Sequence, residues 1–239
     1  MIKKPYQAIT INECYEELLP IPLDLFLVEN PPPYEVLGAD YQGLSPYYLR
    51  KSVIESLIVA QNRLQQLKPR WQLKIFDAFR PIAIQQFMVD YTFDAICEEQ
   101  NLNPNHLSET TKAEIYQQVF KIWAYPSDNP LTPPPHSTGA AIDLTLVDEN
   151  DLVVDMGGDI DELSVRSQPN YYQNSSNKQA QQYHQNRQIL LEAMTHGNFR
   201  RHPGEWWHFS LGDQMWAWLC NLDNPQQNLT AKYGRVGRT

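Results

Sequence analysis

The sequence predicts an α+β fold: a single domain with a mainly antiparallel sheet flanked by helices. Stretches of apolar period two alternate with stretches of helical period, and one period-two stretch is followed by a turn signal and a second short run, as in a hairpin. No internal repeat and no sharp compositional break divides the 239 residues, which assigns residues 1–239 to one domain.

From Ser45 to Lys68, apolar Leu49, Val53, Ile54, Leu57, Ile58, Leu64 and Leu67 recur at helical spacing among Lys, Arg and Gln, which predicts a long amphipathic helix. Trp71, Leu73 and Ile75 then alternate with Gln72 and Lys74, giving a half-buried strand over Trp71–Asp77. Pro81 suits the first turn of a helix running to about Gln100, where its missing N–H is not needed, and a third helix is expected over Thr111–Trp123. Five prolines among residues 125–135 exclude regular structure and leave an ordered loop.

Ala140–Val147 reads as a strand with Ile142, Leu144 and Leu146 on one face and Ala141, Asp143 and Thr145 on the other. A turn at Glu149–Asn150 should pair it with Leu152–Asp155. The polar run Ser167–Gln182 is expected to be a mobile loop leading into a helix over Gln188–His196. Glu205–Leu211 reads as a final aromatic strand, and the tail from Lys232 to Thr239 as frayed.

A composition that is 42% apolar is enough for a core, and a formal charge of −9 repels phosphate backbones, which argues against a nucleic-acid partner. No run is long and apolar enough for a secretion signal or a membrane span, so neither membrane nor export is expected. Cys14, Cys97 and Cys220 are odd in number and widely spaced, against a disulfide framework or a thiolate zinc site, and a cytoplasmic location fits best.

Three segments hold the side chains that look like chemistry: Phe76-Asp-Ala-Phe-Arg-Pro81, His136-Ser-Thr-Gly-Ala-Ala-Ile-Asp143 and Gly204-Glu-Trp-Trp-His-Phe209. A catalytic zinc needs three nitrogen or oxygen ligands, an open position for water and a nearby base, and this inventory meets that need. Extended, the chain from His136 to Asp143 would span about 23–25 Å, so it must fold back, and Ser137-Thr138-Gly139 supplies turn chemistry where it is required. Asp143 projects from the face opposite its apolar neighbours and needs a partner, be it a metal, an arginine or backbone donors. Glu205 and His208 would lie on opposite faces of a regular strand, but Pro203-Gly204 lets Glu205 bend back before the strand begins. Arg80, at a strand end before Pro81, can hold a fixed positive charge in a cleft. His184, His196, Arg200, Arg201 and His202 read as solvated surface.

Taken together, these segments resemble the zinc D-alanyl-D-alanine dipeptidases, the family of the vancomycin-resistance D,D-dipeptidase, with D,D-carboxypeptidases and hedgehog-type domains as wider relatives. His136, Gly139, Ala141 and Asp143 meet the pattern His-x-x-Gly-x-Ala-x-Asp, and Glu205 and His208 meet Glu-x-x-His. The resemblance covers residues 41–211, taken as the core of the domain. It implies one zinc per chain held by His136, Asp143 and His208, Glu205 as catalytic base, and Arg80 as the group that stabilises the oxyanion. It also implies hydrolysis of the D-alanyl-D-alanine dipeptide to two D-alanines, so the partner is a small D,D-dipeptide.

The family's Met-Gly-x-x-Phe-Asp segment reads Met156-Gly-Gly-Asp-Ile-Asp161 here, so Asp161 matches the residue that meets the substrate ammonium, with Asp159 as a competitor. Pro134 stands where the family usually has Ser, which implies that one contact to the substrate carboxylate is either lost or supplied by Ser137.

Other reaction classes lack their parts. Ser175-Ser-Asn-Lys178 and Ser127-Asp-Asn129 match serine D,D-peptidase motifs by letter but in reversed order, with no Lys-Thr-Gly. A single Glu-x-x-His excludes a di-iron bundle, and the absence of His-Glu-x-x-His excludes the helix-borne zincins. Two alternatives stay open: a D,D-carboxypeptidase acting on peptidoglycan peptides, and a zinc-stabilised binding domain without turnover.

Overall fold

Residues 4–237 are described by the computed structural model. Strands β1 (Leu18–Pro20) and β2 (Leu27–Val28) are followed by the short helix α1 (Pro33–Val36), strand β3 (Tyr48–Arg50) and the long helix α2 (Lys51–Leu67). Strand β4 (Gln72–Asp77), helices α3 (Ile82–Glu99) and α4 (Glu109–Val119) and strand β5 (Ala141–Val147) come next. Helix α5 (Lys178–His196), strands β6 (Arg200–Arg201) and β7 (His208–Ser210) and helix α6 (Gln214–Asp223) complete the order.

The main sheet runs β2-β4-β5-β7-β6; β2 pairs with β4 in parallel and every other pair is antiparallel. One face is apolar as the period-two pattern requires: Leu73, Ile75, Ile142, Leu144, Leu146 and Phe209 are buried in one cluster with Val53, Leu57 and Leu64 of α2 and Leu190 and Met194 of α5. A second cluster joins α3 and α4 to Tyr34, Tyr41 and Trp123. No helix among the described residues is long and apolar enough to cross a membrane.

Several elements differ from the sequence expectation, each for a local reason. The predicted helix from Ser45 begins only at Lys51, because Tyr48–Arg50 pairs with Leu18–Pro20 as an antiparallel ribbon. The expected hairpin after β5 shrinks to one bridge, Val147 to Val153. The Asp148 carboxylate accepts the N–H groups of Asn150 and Leu152 in a tight turn, and Asp155 then turns the chain away by accepting from Gly157.

Helix α5 starts ten residues before the predicted Gln188, at Lys178, where the Asn177 side chain caps the N–H groups of Gln179 and Ala180. The segment before it, expected to be mobile, is held by turns and by Tyr172 packing edge-on against Tyr183, with centroids 5.2 Å apart. The predicted strand Glu205–Leu211 narrows to His208–Ser210.

The tail is not frayed as far as it is described. Tyr233 is buried, Gly234 N–H donates to Glu13, and Val236 N–H donates to the Ser137 carbonyl; 238–239 lie outside the described residues. Arg50 joins these pieces: its Nε donates to the Thr138 carbonyl at 2.9 Å, and its guanidinium also reaches the carbonyls of Glu16 and Gly234.

Candidate active site

The polar face of the sheet opposite the α2/α5 core carries the site. Asp143 of β5 is the register partner of His208 on β7, and across β4 its partner is Asp77, placed there by a register shift after Ile75. Three central strands therefore set an Asp, an Asp and a His side by side.

His136 arrives from a 3-10 turn, Pro135–Thr138, which closes on Gly139 at φ +70°. A side chain there would be strained by that φ, and a Cβ would lie 2.4 Å from Leu18 Cδ1. The turn folds the chain back so that His136 Nε2 lies 3.2 Å from Asp143 Oδ2 and 3.1 Å from His208 Nδ1, with His208 Nδ1 3.0 Å from Asp143 Oδ1.

The donor set fits a metal ion. His136 Nδ1 donates its N–H to the Ala78 carbonyl at 2.7 Å, which leaves the Nε2 lone pair facing the second imidazole. Two nitrogens meeting at 3.1 Å, beside the Asp143 Oδ1 atom that is buried without a hydrogen bond, form an arrangement that a divalent cation satisfies. His208 Nε2 sits 3.5 Å from Ser210 Oγ, which donates to Asp213, so the second imidazole is also oriented from behind.

Glu205 lies in the turn before β7 and bends back as its Pro-Gly neighbours allow: Oε2 is 3.8 Å from His208 Nδ1. Burial, then the negative charges of Asp143 and Asp161, raise its pKa well above the usual carboxylate value. The adjacent Trp206 and Trp207 are fully buried in the core and fix the turn.

Arg80 is buried. Its Nε and Nη2 donate to Asp77 at 3.1 and 2.8 Å, Nη1 donates to Gln85 at 3.0 Å, Nη2 reaches Tyr34 Oη at 2.8 Å, and Asp143 Oδ2 is 3.5 Å away. Tyr34 in turn donates to Asp161 Oδ2 at 2.9 Å. Asp161 has φ +64°, and its pKa is raised to about 7, first by burial and then by the charge of Asp143.

Asp159, the competing carboxylate, is exposed and away from the cavity lining. Ser137 does not take the substrate-facing place suggested for it: its hydroxyl donates to the Arg80 carbonyl at 2.7 Å, so it steadies Arg80 instead.

The cavity has a volume of about 40 Å³, more than the roughly 10–15 Å³ that a single water needs. His136, Asp143, Asp161, Glu205, His208 and Arg80 all line it, as do Lys4 and Tyr6 from the start of the chain. An outer groove of about 810 Å³ meets the cavity at Lys121, Ile122 and Glu205.

His202, read from sequence as solvated surface, is instead in this wall, with burial lowering its pKa to about 3 and Nδ1 3.5 Å from Glu205 Oε1. Tyr34, Asp77, Gln85, Lys4 and Tyr6 were also missed. Only Asp77 had a local signal, a carboxylate three positions before Arg80 at a strand end.

The model of the peptidase M15 family, described as D-ala-D-ala dipeptidase, matches residues 28–230. The chain is 52% identical over 239 residues to a D-alanyl-D-alanine dipeptidase of Synechocystis sp., covering 98% of this chain and 97% of that one. It is 46% identical over 76 residues to a D-alanyl-D-alanine dipeptidase of Escherichia coli K12, covering 32% and 37% of the two chains. A solved structure of the LdcB LD-carboxypeptidase aligns with a TM-score of 0.39 and 16% identity, over 92% of this chain and 78% of the other. With the family model spanning most of its length and a relative of that identity matching nearly end to end, this chain belongs to the peptidase M15, D-ala-D-ala dipeptidase family.

Proposed function

We propose that this protein hydrolyses the D-alanyl-D-alanine dipeptide to two D-alanines with one zinc ion per chain. The observation that carries the reading is the convergence of His136, Asp143 and His208, with ligand atoms within 4.8 Å of one another, beside a buried Glu205. When bound, zinc supplies a Lewis acid for the peptide carbonyl and acidifies a water to a pKa of about 7.

The chain's own residues do the rest. Glu205 takes the proton of the attacking water and returns it to the leaving amine. The Arg80 guanidinium, held by Asp77 and Gln85, presents positive charge to the oxygen on which negative charge develops. Asp161, with its carboxylate fixed by Tyr34, meets the substrate ammonium. That contact favours a free dipeptide, because only there does the ammonium lie next to the scissile bond.

A second reading, a D,D-carboxypeptidase acting on longer peptidoglycan peptides, is favoured by the outer groove that reaches Glu205, which has room for an extended chain. Comparing D-Ala-D-Ala with its N-acetyl form decides between them. The dipeptidase reading expects hydrolysis of the free form, loss of activity with a chelator and recovery with added zinc. Equal or faster cleavage of the acetylated form supports the second reading, and activity untouched by chelator overturns the metal assignment. The three unpaired cysteines, with Cys14 exposed, support a reducing, cytoplasmic setting.

A further inference from the structure

The N-terminal segment forms one wall of the catalytic cavity. It is pinned at its base by Asn12 N–H to the Ala231 carbonyl at 2.7 Å, and along its length by the Gln214 side-chain amide to the Ile9 carbonyl at 2.6 Å. The 3-10 turn Pro5–Ala8 then buries the Tyr6 ring against the cavity, and Lys4 Nζ donates to the Phe120 carbonyl at 2.9 Å. An ammonium group has three N–H donors, so this bond leaves two for a ligand. Lys4 shares the wall of this cavity with Glu205 and His202.

A free dipeptide is a zwitterion, and the cavity must answer both charges. Its carboxylates, Asp143, Asp161 and Glu205, suit a cation. Among the lysines and arginines lining it, Arg80 is already paired with Asp77, and Lys121 is shared with the outer groove. Lys4 lines the inner cavity alone. We infer that Lys4 binds the C-terminal carboxylate of the substrate, so that the N-terminal wall sets specificity for a free carboxyl end. This inference rests on the dipeptidase reading above.

The test compares kcat/KM for D-Ala-D-Ala with that for D-Ala-D-alaninamide, in the zinc-loaded full chain and its variants. Charge-assisted hydrogen bonds of this kind correspond to roughly 10–100-fold in binding. Lys4→Met should lower the acid-to-amide ratio by about that factor, mostly through KM, with bound zinc unchanged. Lys4→Arg should restore most of the ratio, and Lys121→Met should keep it.

An unchanged ratio in Lys4→Met, or its collapse in Lys121→Met alone, overturns the assignment while leaving the dipeptidase reading intact. Failure of the unmodified protein to cleave D-Ala-D-Ala overturns both.

Discussion

Asp143 and His208 face each other across paired strands β5 and β7, with Oδ1 and Nδ1 3.0 Å apart, and His136 closes the triangle from a turn. On the proposed assignment, removing one corner removes a ligand, whereas changing Glu205 removes only the base. His208→Ala should therefore lose bound metal, measured by elemental analysis after dialysis. Glu205→Gln should retain it while turnover falls by at least about 10²-fold. Metal retained at full stoichiometry in His208→Ala would place the ion elsewhere.

Arg80 and Asp77 are both buried and paired at 2.8 Å, so Arg80→Ala has two effects. With Arg80 in its proposed role as oxyanion donor, its loss lowers kcat by about 10²–10³. The same change strands the Asp77 carboxylate and costs about 3–5 kcal/mol of stability, so the variant loses stability as well as turnover. Asp77→Asn combined with Arg80→Ala should recover much of the lost denaturation midpoint and none of the kcat. Recovery of kcat would remove Arg80 from the reaction.

Asp161 has a pKa raised to about 7 against an ordinary value of 3.8, so the folded state binds its proton more tightly than the unfolded chain does. The resulting stability cost is absent below about pH 4, grows as pH rises and is complete above about pH 7. Asp161→Asn should raise the Tm of chelator-treated protein at pH 8 and leave it nearly unchanged at pH 4. The same variant should raise KM for D-Ala-D-Ala. A Tm that does not move at pH 8 would show that the carboxylate is well compensated.

Arg187 is fully buried, and its Nε and Nη1 donate to the carbonyls of Met156 and Gln168 at 2.8 and 2.9 Å, on either side of Asp161 in sequence. Its guanidinium also lies over the rings of Tyr172 and Trp206, the latter next to Glu205. Arg187→Met should raise KM several-fold with bound metal intact, and Tyr172→Phe, which loses only the bond to the Gly157 carbonyl, should act in the same direction more weakly. Unchanged KM in both would show that the loop needs no such clamp.

The convergence of His136, Asp143 and His208 beside Glu205 and Arg80 was legible because each sits in a short motif, with His136, the turn glycine Gly139 and Asp143 within eight positions. Tyr34, Lys4 and Tyr6 were not legible, because they meet the site across long separations in sequence, as Tyr34 meets Asp161 at 127 residues. The same reason explains the elements. Period two found β4 and β5, but the pairing of Tyr48–Arg50 with Leu18–Pro20 overrode helical spacing, and a side-chain cap at Asn177 started α5 inside a run poor in apolar residues. The α6 helix, capped by Asp213, was missed altogether.

Arg50 gathers under one guanidinium the carbonyls of Glu16, near the beginning, Thr138, two residues after His136, and Gly234, near the end. Trimming the chain before Gly234 would delete none of His136, Asp143 and His208, yet it would unseat the platform on which the His136 turn rests. Fusion partners and affinity handles therefore belong beyond this junction, and shortened forms should lose metal affinity before they lose their helices.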